Sequence, residues 1–144
     1  MVCVFFGHRD CYGLEKDRLQ QAIENLIQQG VEEFLVGNQG QFDAMVCGCL
    51  RTLKESYPQI QHHVVLAYLP GEKHTQPTLE NTIFPEGLET VHPKFAIDRR
   101  NQWMLAQADH CLCYINHSWG GAYKFAKLAK QKGKHILNIG TIPL

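Results

Sequence analysis

The stretch Ala96–Lys124, AIDRRNQWMLAQADHCLCYINHSWGGAYK, predicts a helix, a buried strand, a glycine turn and the start of a second helix. Arg99 and Arg100 stand in the first helix, and Gly120 and Gly121 open the second. A buried strand between two helices is typical of a parallel sheet that helices cover. Because the free amides of a helix N-terminus attract anions, the basic pair and the glycine turn together indicate an anion site.

The alternation of strands and helices extends over the whole chain. Short apolar runs predict five strands, at residues 2–6, 34–36, 63–68, 110–115 and 135–139. Apolar residues at helical spacing predict helices between them, and the clearest stripe is Leu19, Ala22, Ile23, Leu26 and Ile27. The order β-α-β-α-β-loop-α-β-α-β predicts an α/β fold of the doubly wound, three-layer Rossmann-like kind. Its five-stranded parallel sheet is expected to have the strand order 3-2-1-4-5.

Length and composition fit a single soluble domain over residues 1–144, with 44% apolar residues and a formal net charge of zero. Without an overall basic field, stable binding to nucleic acid is not expected. No apolar run approaches the roughly 20 residues that cross a bilayer, and the first residues lack the pattern of a signal peptide. We therefore expect no membrane association and a cytoplasmic location.

The six cysteines lack the spacing of a disulfide framework or of a zinc site. Cys111 and Cys113 alternate along a strand and share a face, whereas Cys47 and Cys49 diverge on a helix. We interpret them as reduced, small buried hydrophobic residues, and we predict no metal site.

The predicted sheet reverses its strand order beside the first strand, and such sheets bind ligands there, beyond the carboxyl ends of the strands. Three turns reach that point: residues 7–9 after strand one, 37–40 after strand two and 118–122 after strand four. We interpret them as a cradle for phosphate and ribose. The predicted ligand-binding residues are Gly7, His8, Arg9, Gly37, Asn38, Gln39, Gly40, Arg99, Arg100, Asn101, Trp119, Gly120, Gly121 and Ala122.

Each of these features also has a structural interpretation. The residues around Arg9 would then form a tight turn with a solvated arginine, and Asp43 would only complement the dipole of its helix. In a functional role, Asp43 would hold a ribose hydroxyl or act as a base. Trp119 would stack on a base or cap the core.

Residues from about 69 to 93 show no regular period and include four prolines. A long irregular segment inside a compact domain is usually functional or mobile. The sequence leaves open whether this segment is a lid over a pocket or an oligomer contact. Glu86 and Glu89 within it are interpreted as solvated.

Five motifs extend over nearly the whole chain: GHR at 7–9, VGNQGQFD at 36–43, TIFPEGLE at 82–89, FAIDRRNQWM at 95–104 and WGGAYK at 119–124. Together they resemble the SLOG superfamily, Rossmann-like proteins related to the LOG ("lonely guy") phosphoribohydrolases, and in particular a bacterial branch of it. The resemblance implies a nucleotide-derived ligand with its phosphate on the glycine loop. It also implies that Arg99 lies near the ribose or phosphate and that the protein is a homodimer or higher homo-oligomer.

The LOG enzymes have a basic pair and a methionine before strand four, which Arg99, Arg100 and Met104 match. After it they have the loop PGGxGTxxE, in which Trp119 here replaces the proline. Tyr123 and Lys124 replace the third glycine and the threonine, and no glutamate follows in FAK at 125–127. The carboxylate to which the family's N-glycosidic hydrolysis is attributed is therefore missing from this loop.

The sequence is compatible with three functions. The first is binding of a nucleotide, ADP-ribose-like or NAD-like ligand by a sensor or processing protein, with no cofactor required. The alternative is a nucleoside 5′-monophosphate phosphoribohydrolase in which Asp43 and Arg99 are catalytic, with Asp98 or Glu86 as other candidate carboxylates. A second alternative is a protein-interaction module that uses the long irregular segment.

Overall fold

The computed structural model describes residues 1–69 and 81–144, which form a parallel sheet with helices on both faces. Within these residues the strands are β1 (Val2–Gly7), β2 (Glu33–Val36), β3 (Gln61–Val65), β4 (Thr82–Ile83), β5 (His110–Tyr114) and β6 (His135–Asn138). Their order across the sheet is β4-β3-β2-β1-β5-β6, and all the paired strands are parallel. The predicted α/β class is confirmed.

Within residues 1–69 and 81–144 the sheet has six strands rather than the predicted five, and its order therefore differs from the predicted 3-2-1-4-5. The additional strand β4 pairs with β3 at the edge, with Val64 opposite Thr82 and Val65 opposite Ile83. Two residues are too few to show an alternating pattern, so the sequence did not predict β4, which lies in the segment predicted to be irregular. Because β1 lies between β2 and β5, the strand order reverses at β1.

Four α-helices lie in the described part of the chain: α1 (Lys16–Gln28), α2 (Gln41–Ser56), α3 (Pro93–Gln107) and α4 (Gly121–Gln131). Leu88–Thr90 adds one turn of 3₁₀-helix, in the second part of the segment predicted to be irregular. Residues 70–80, which are part of the predicted lid or oligomer contact, lie outside the described residues. Across residues 1–69 and 81–144, no helix has the length and apolar character needed to cross a membrane.

Each face of the sheet has its own hydrophobic core. Helices α1 and α2 cover one face, where the five residues of the predicted α1 stripe pack with residues such as Phe34 and Leu50. Helices α3 and α4 cover the other face, with Met104 and Phe125 at its centre. The two cores hold the ends of β1, β2 and β5 in place, and the cleft described below opens there.

The sequence predicts Ile97, Met104, Leu105 and Ala108 on the inward face of the helix that forms α3, and the structure differs from this prediction at two positions. Met104 and Leu105 are buried in α3, as predicted, but Ile97 is 37% exposed and Arg100 is buried in its place. Ala96, Arg100 and Met104 recur every four residues, so they share the face of α3 that packs on the sheet. Ile97 lies a quarter-turn away and faces an open cleft.

The six cysteines, all of which lie in the described residues, form no disulfide. Five are buried and Cys47 is partly exposed. Cys111 and Cys113 share one face of β5 with their sulfur atoms 3.2 Å apart, and both belong to the core under α3 and α4. Their packing agrees with the interpretation as small buried hydrophobic residues.

Candidate functional site

A cleft of about 610 Å³ opens where β1, β2 and β5 end, at the reversal of strand order. The connections that follow these three strands form its walls, together with part of α3. Of the predicted ligand-binding residues, those that line the cleft are Gly7, His8, Arg9, Gly37, Gln39, Arg100, Asn101, Trp119, Gly120, Gly121 and Ala122. Asp43 lines it as well. The three turns predicted to meet at this edge of the sheet therefore do meet there.

Asn38, Gly40 and Arg99 do not line this cleft. Asn38 is exposed and accepts a hydrogen bond from the Gln39 side chain. Gly40 begins α2 with φ +97°, and a Cβ there would lie 2.8 Å from the Cα of Arg9, so glycine is required for the two turns to pack. Arg99 is exposed and lines a separate cavity of about 390 Å³ together with Trp103.

The basic pair is therefore split, because consecutive residues of a helix point about 100° apart. The side chain of Arg100 is only 2% exposed. Its Nη1 donates to the carbonyl oxygen of Val65 at 2.9 Å and its Nε to Oδ1 of Asn101 at 2.8 Å. No carboxylate of the described residues forms an ion pair with it. The hydrogen bonds of Arg100 within the described residues are all to neutral acceptors, and the charge of Asp43 acts on it only at longer range, so an approaching anion would stabilise the buried cation.

Asp43 is the second buried charged group of the cleft. Its Oδ2 accepts a hydrogen bond from the backbone N–H of Gln39 at 2.8 Å. Burial raises the pKa of Asp43 to about 6, although this hydrogen bond and the charge of Arg100 act in the opposite direction. A carboxyl group that titrates near pH 6 is able to accept or donate a proton under physiological conditions.

Gly37 separates these two groups. A Cβ at position 37 would lie 2.9 Å from Nη1 of Arg100 and 3.0 Å from Oδ2 of Asp43. Such contacts are too short for a carbon atom, so a side chain at this position would displace the guanidinium, the carboxyl or both. Gly37, which is predicted to bind the ligand, therefore also keeps Arg100 and Asp43 in place.

Replacing Asp43 by asparagine is expected to stabilise the protein at pH 8 by about 1–3 kcal/mol, since each unit of pKa shift corresponds to about 1.4 kcal/mol. The pKa of this carboxyl is higher in the folded protein, about 6 against an ordinary value of 3.8. The contribution of the Asp43 carboxyl to the free energy of unfolding is therefore complete below about pH 4, where the group is protonated, and it is lost as the pH rises through 6. Asparagine stays neutral throughout, so the variant and the wild type should agree within about 0.5 kcal/mol at pH 4.

Urea unfolding at pH 4 and pH 8 measures this difference. Asp98→Asn is the matched control, because Asp98 is part of an exposed ion pair with Lys124 at 2.8 Å. Exposed pairs contribute about 1 kcal/mol or less. An Asp43→Asn variant less stable than the wild type at pH 8 would contradict the assignment of a buried, costly charge.

Three aromatic rings stack along one wall of the cleft. The ring of His8 lies on that of His117, and His117 lies on Trp119, with centroid distances of 3.6 Å in both cases. Nε2 of His8 accepts hydrogen bonds from the backbone N–H groups of Asn116 at 2.8 Å and His117 at 3.4 Å. Burial, and then His117, lower the pKa of His8. A neutral His8 thus ties the connection between β5 and α4 to the end of β1.

The N-terminus of α4 faces the same cleft. It begins after Gly120, which has φ +92° and provides no side-chain cap, and its first turn has no acidic residue. The amide N–H groups of Gly121 and Ala122 have no acceptor among the residues that the structure describes. Free amides at a helix N-terminus favour an anion. In α2, by contrast, the carboxyl of Asp43 already accepts from the preceding turn.

Several lining residues were not predicted, above all Asn116 and His117. Both come directly after β5, at the sheet edge where ligand contacts were expected, but a single histidine among eight is a weak signal. In the LOG motif, counted from Trp119, the glutamate falls at Lys127, which is exposed and donates to the hydroxyl of Tyr123. Its neighbour Ala126 is fully buried. The motif thus supplies no carboxylate to the cleft.

Comparison with known proteins identifies a family for almost the whole chain. The family model described as the YspA SLOG family matches residues 2–143. This match includes every connection that lines the cleft. No match was found among curated proteins.

Proposed function

The chain belongs to the SLOG family whose model matches residues 2–143, and we propose that its cleft binds a nucleotide-derived ligand. The ligands that we propose are nucleoside phosphates and ADP-ribose-like or NAD-like molecules. The protein would act in sensing or processing them. The observation that carries the proposal is the buried guanidinium of Arg100, which has no ion-pair partner in the described residues. An anionic ligand group would supply that partner.

The distribution of hydrogen-bond donors and acceptors in the cleft supports the binding of a compound that contains both a phosphate and a sugar. The free amides at the start of α4 suit a phosphate, as helix N-termini do in other nucleotide-binding folds. Arg100 offers a second positive group on the α3 side, and Asp43 offers an acceptor for a ribose hydroxyl. Hydrogen bonds to charged groups contribute about 1.5–3 kcal/mol each when they are desolvated. The volume of about 610 Å³ is in the usual range for small-molecule sites.

Thermal unfolding with AMP, ADP-ribose and NAD tests this proposal. A ligand present at 100 times its dissociation constant adds about 2.7 kcal/mol of apparent stability, and we expect such a shift for at least one of the three. Adenosine without phosphate is the matched control and should give little or no shift. A panel of phosphorylated nucleosides without any shift would contradict the proposal.

A second function, hydrolysis of an N-glycosidic bond, is supported by the raised pKa of Asp43. In this reaction water cleaves the bond between the base and C1′ of a nucleoside 5′-monophosphate, giving the free base and ribose 5-phosphate. Asp43 would accept the proton of the water or stabilise positive charge on the sugar. Arg99, the other residue predicted to be catalytic, lines a different cavity, so this hypothesis depends on Asp43.

Chromatographic detection of free base after incubation with nucleoside 5′-monophosphates separates the two functions. Catalysis by Asp43 requires that release occurs with the wild type and disappears in Asp43→Asn, while that variant still binds nucleotide. If no base is released from any nucleotide that binds, the protein is a binding protein for that panel.

A further inference from the structure

We propose that the outer face of Trp119 is a platform on which the heterocyclic base of the ligand stacks. The site would then select compounds with a planar aromatic base over sugar phosphates that have none. This inference rests on the proposed function, because it specifies a second part of the same ligand.

The position of Trp119 is the first support. Its side chain is 68% exposed, although a large aromatic residue is normally buried in a folded protein. It belongs to neither hydrophobic core, so capping the core does not explain it. Trp119 lines the cleft directly before the glycine pair that begins α4. A base on the indole would thus be close to a phosphate at the free amides.

The stack behind Trp119 is the second support. One face of the indole lies on the ring of His117 at 3.6 Å with an interplanar angle of 20°, and the described residues place no other ring against it. His117 lies in turn on His8 at 3.6 Å and 14°. His8 is fixed at the inner end by two backbone N–H groups and by the edge of Tyr114 at 6.4 Å. The free face of the indole is therefore the open end of a stack anchored in the protein.

A fixed ring is the form of aromatic residue that binds a base most effectively. Binding then does not have to order the indole, so less of the stacking free energy is lost. Every base has a flat π-face, so stacking adds affinity for many bases without specifying one. The resulting selectivity is for nucleotides as a class, with the phosphate positioned by α4 and Arg100.

Calorimetric titration of Trp119→Ala and Trp119→Phe with AMP, ADP-ribose and ribose 5-phosphate tests the platform. Removing the ring should lower the affinity for the two nucleotides by about 5-fold to 100-fold, as the loss of a stacking ring does in other proteins. Ribose 5-phosphate should bind both variants within about 2-fold of the wild type, since it has no base. Phenylalanine retains a flat ring and should keep the nucleotide affinity within about 5-fold.

Trp103→Phe is the matched control, because Trp103 lines the separate cavity with Arg99 and should leave all three affinities unchanged. Trp119 is exposed, so its variants should unfold at the same urea concentration as the wild type, which checks that they are folded. If Trp119→Ala binds the nucleotides as tightly as the wild type does, the platform is wrong and the proposed function stands. If the wild type binds neither nucleotide, both fail.

Discussion

Replacing Arg100 by glutamine is expected to weaken nucleotide binding at least about 30-fold, which corresponds to about 2 kcal/mol or more. The guanidinium is buried at the cleft and, within the described residues, is held only by the carbonyl of Val65 and the amide oxygen of Asn101. An anionic ligand would be its counter-ion, and such a contact is strong because water is excluded. Titration calorimetry with the nucleotide that stabilises the wild type most measures the loss.

The neighbouring arginine provides a matched control for this experiment. Arg99→Gln removes the same charge one residue away, from an exposed side chain in the other cavity. It should change the affinity by no more than about 5-fold, since exposed ion contacts contribute about 1 kcal/mol or less. A larger effect at Arg99 than at Arg100 would mean that the ligand does not bind in the cleft described here.

Replacing Gly7 by alanine is expected to destabilise the protein by about 2–3 kcal/mol or more, at the upper end of the usual cost of overpacking. A Cβ at position 7 would lie 2.2 Å from Cδ1 of Phe42. The ring of Phe42 is fully buried and stacks on Tyr114 with centroids 6.1 Å apart, so it has no free space to move into. Urea denaturation should show a lower midpoint with an unchanged slope.

Gly48→Ala is the control for the change of residue type, and its effect should have the opposite sign. Gly48 lies inside α2, and a Cβ there would meet no atom of the described residues within 4 Å. Alanine is a better helix former than glycine, so the variant should gain about 0.5–1 kcal/mol. If Gly7→Ala unfolds within about 0.5 kcal/mol of the wild type, the contact with Phe42 is less tight than the structure indicates.

Features that depend on local pattern could be predicted from the sequence. Helix α1 buries the apolar stripe at the spacing that predicted it, and the short apolar runs became β1, β2 and β5. Because parallel strands end at a common edge, the turns that follow these three strands were expected to meet, and they do. Strand β4 could not be predicted, since its two residues are stabilised by pairing with β3 rather than by a pattern of their own.

The details of the cleft depend on contacts that no spacing rule contains. Helical periodicity places apolar residues inward, so it favoured Ile97 over Arg100, but the buried guanidinium finds its acceptor on β3 at Val65. Similarly, His8 and His117 are 109 positions apart in the chain, and their roles depend on the stacking of their rings in the folded protein. The pKa of Asp43 depends on burial, which is a property of the folded chain alone.

The close packing around the glycines determines which residues of the cleft can be replaced. Side chains at positions 7 and 37, which line the cleft, would collide with Phe42 or with Arg100 and Asp43, so these two positions favour glycine. A Cβ at Gly121 would meet no described atom within 4 Å, and Trp119 is exposed. Substitutions that reshape the cleft without unfolding the protein are therefore expected at its rim.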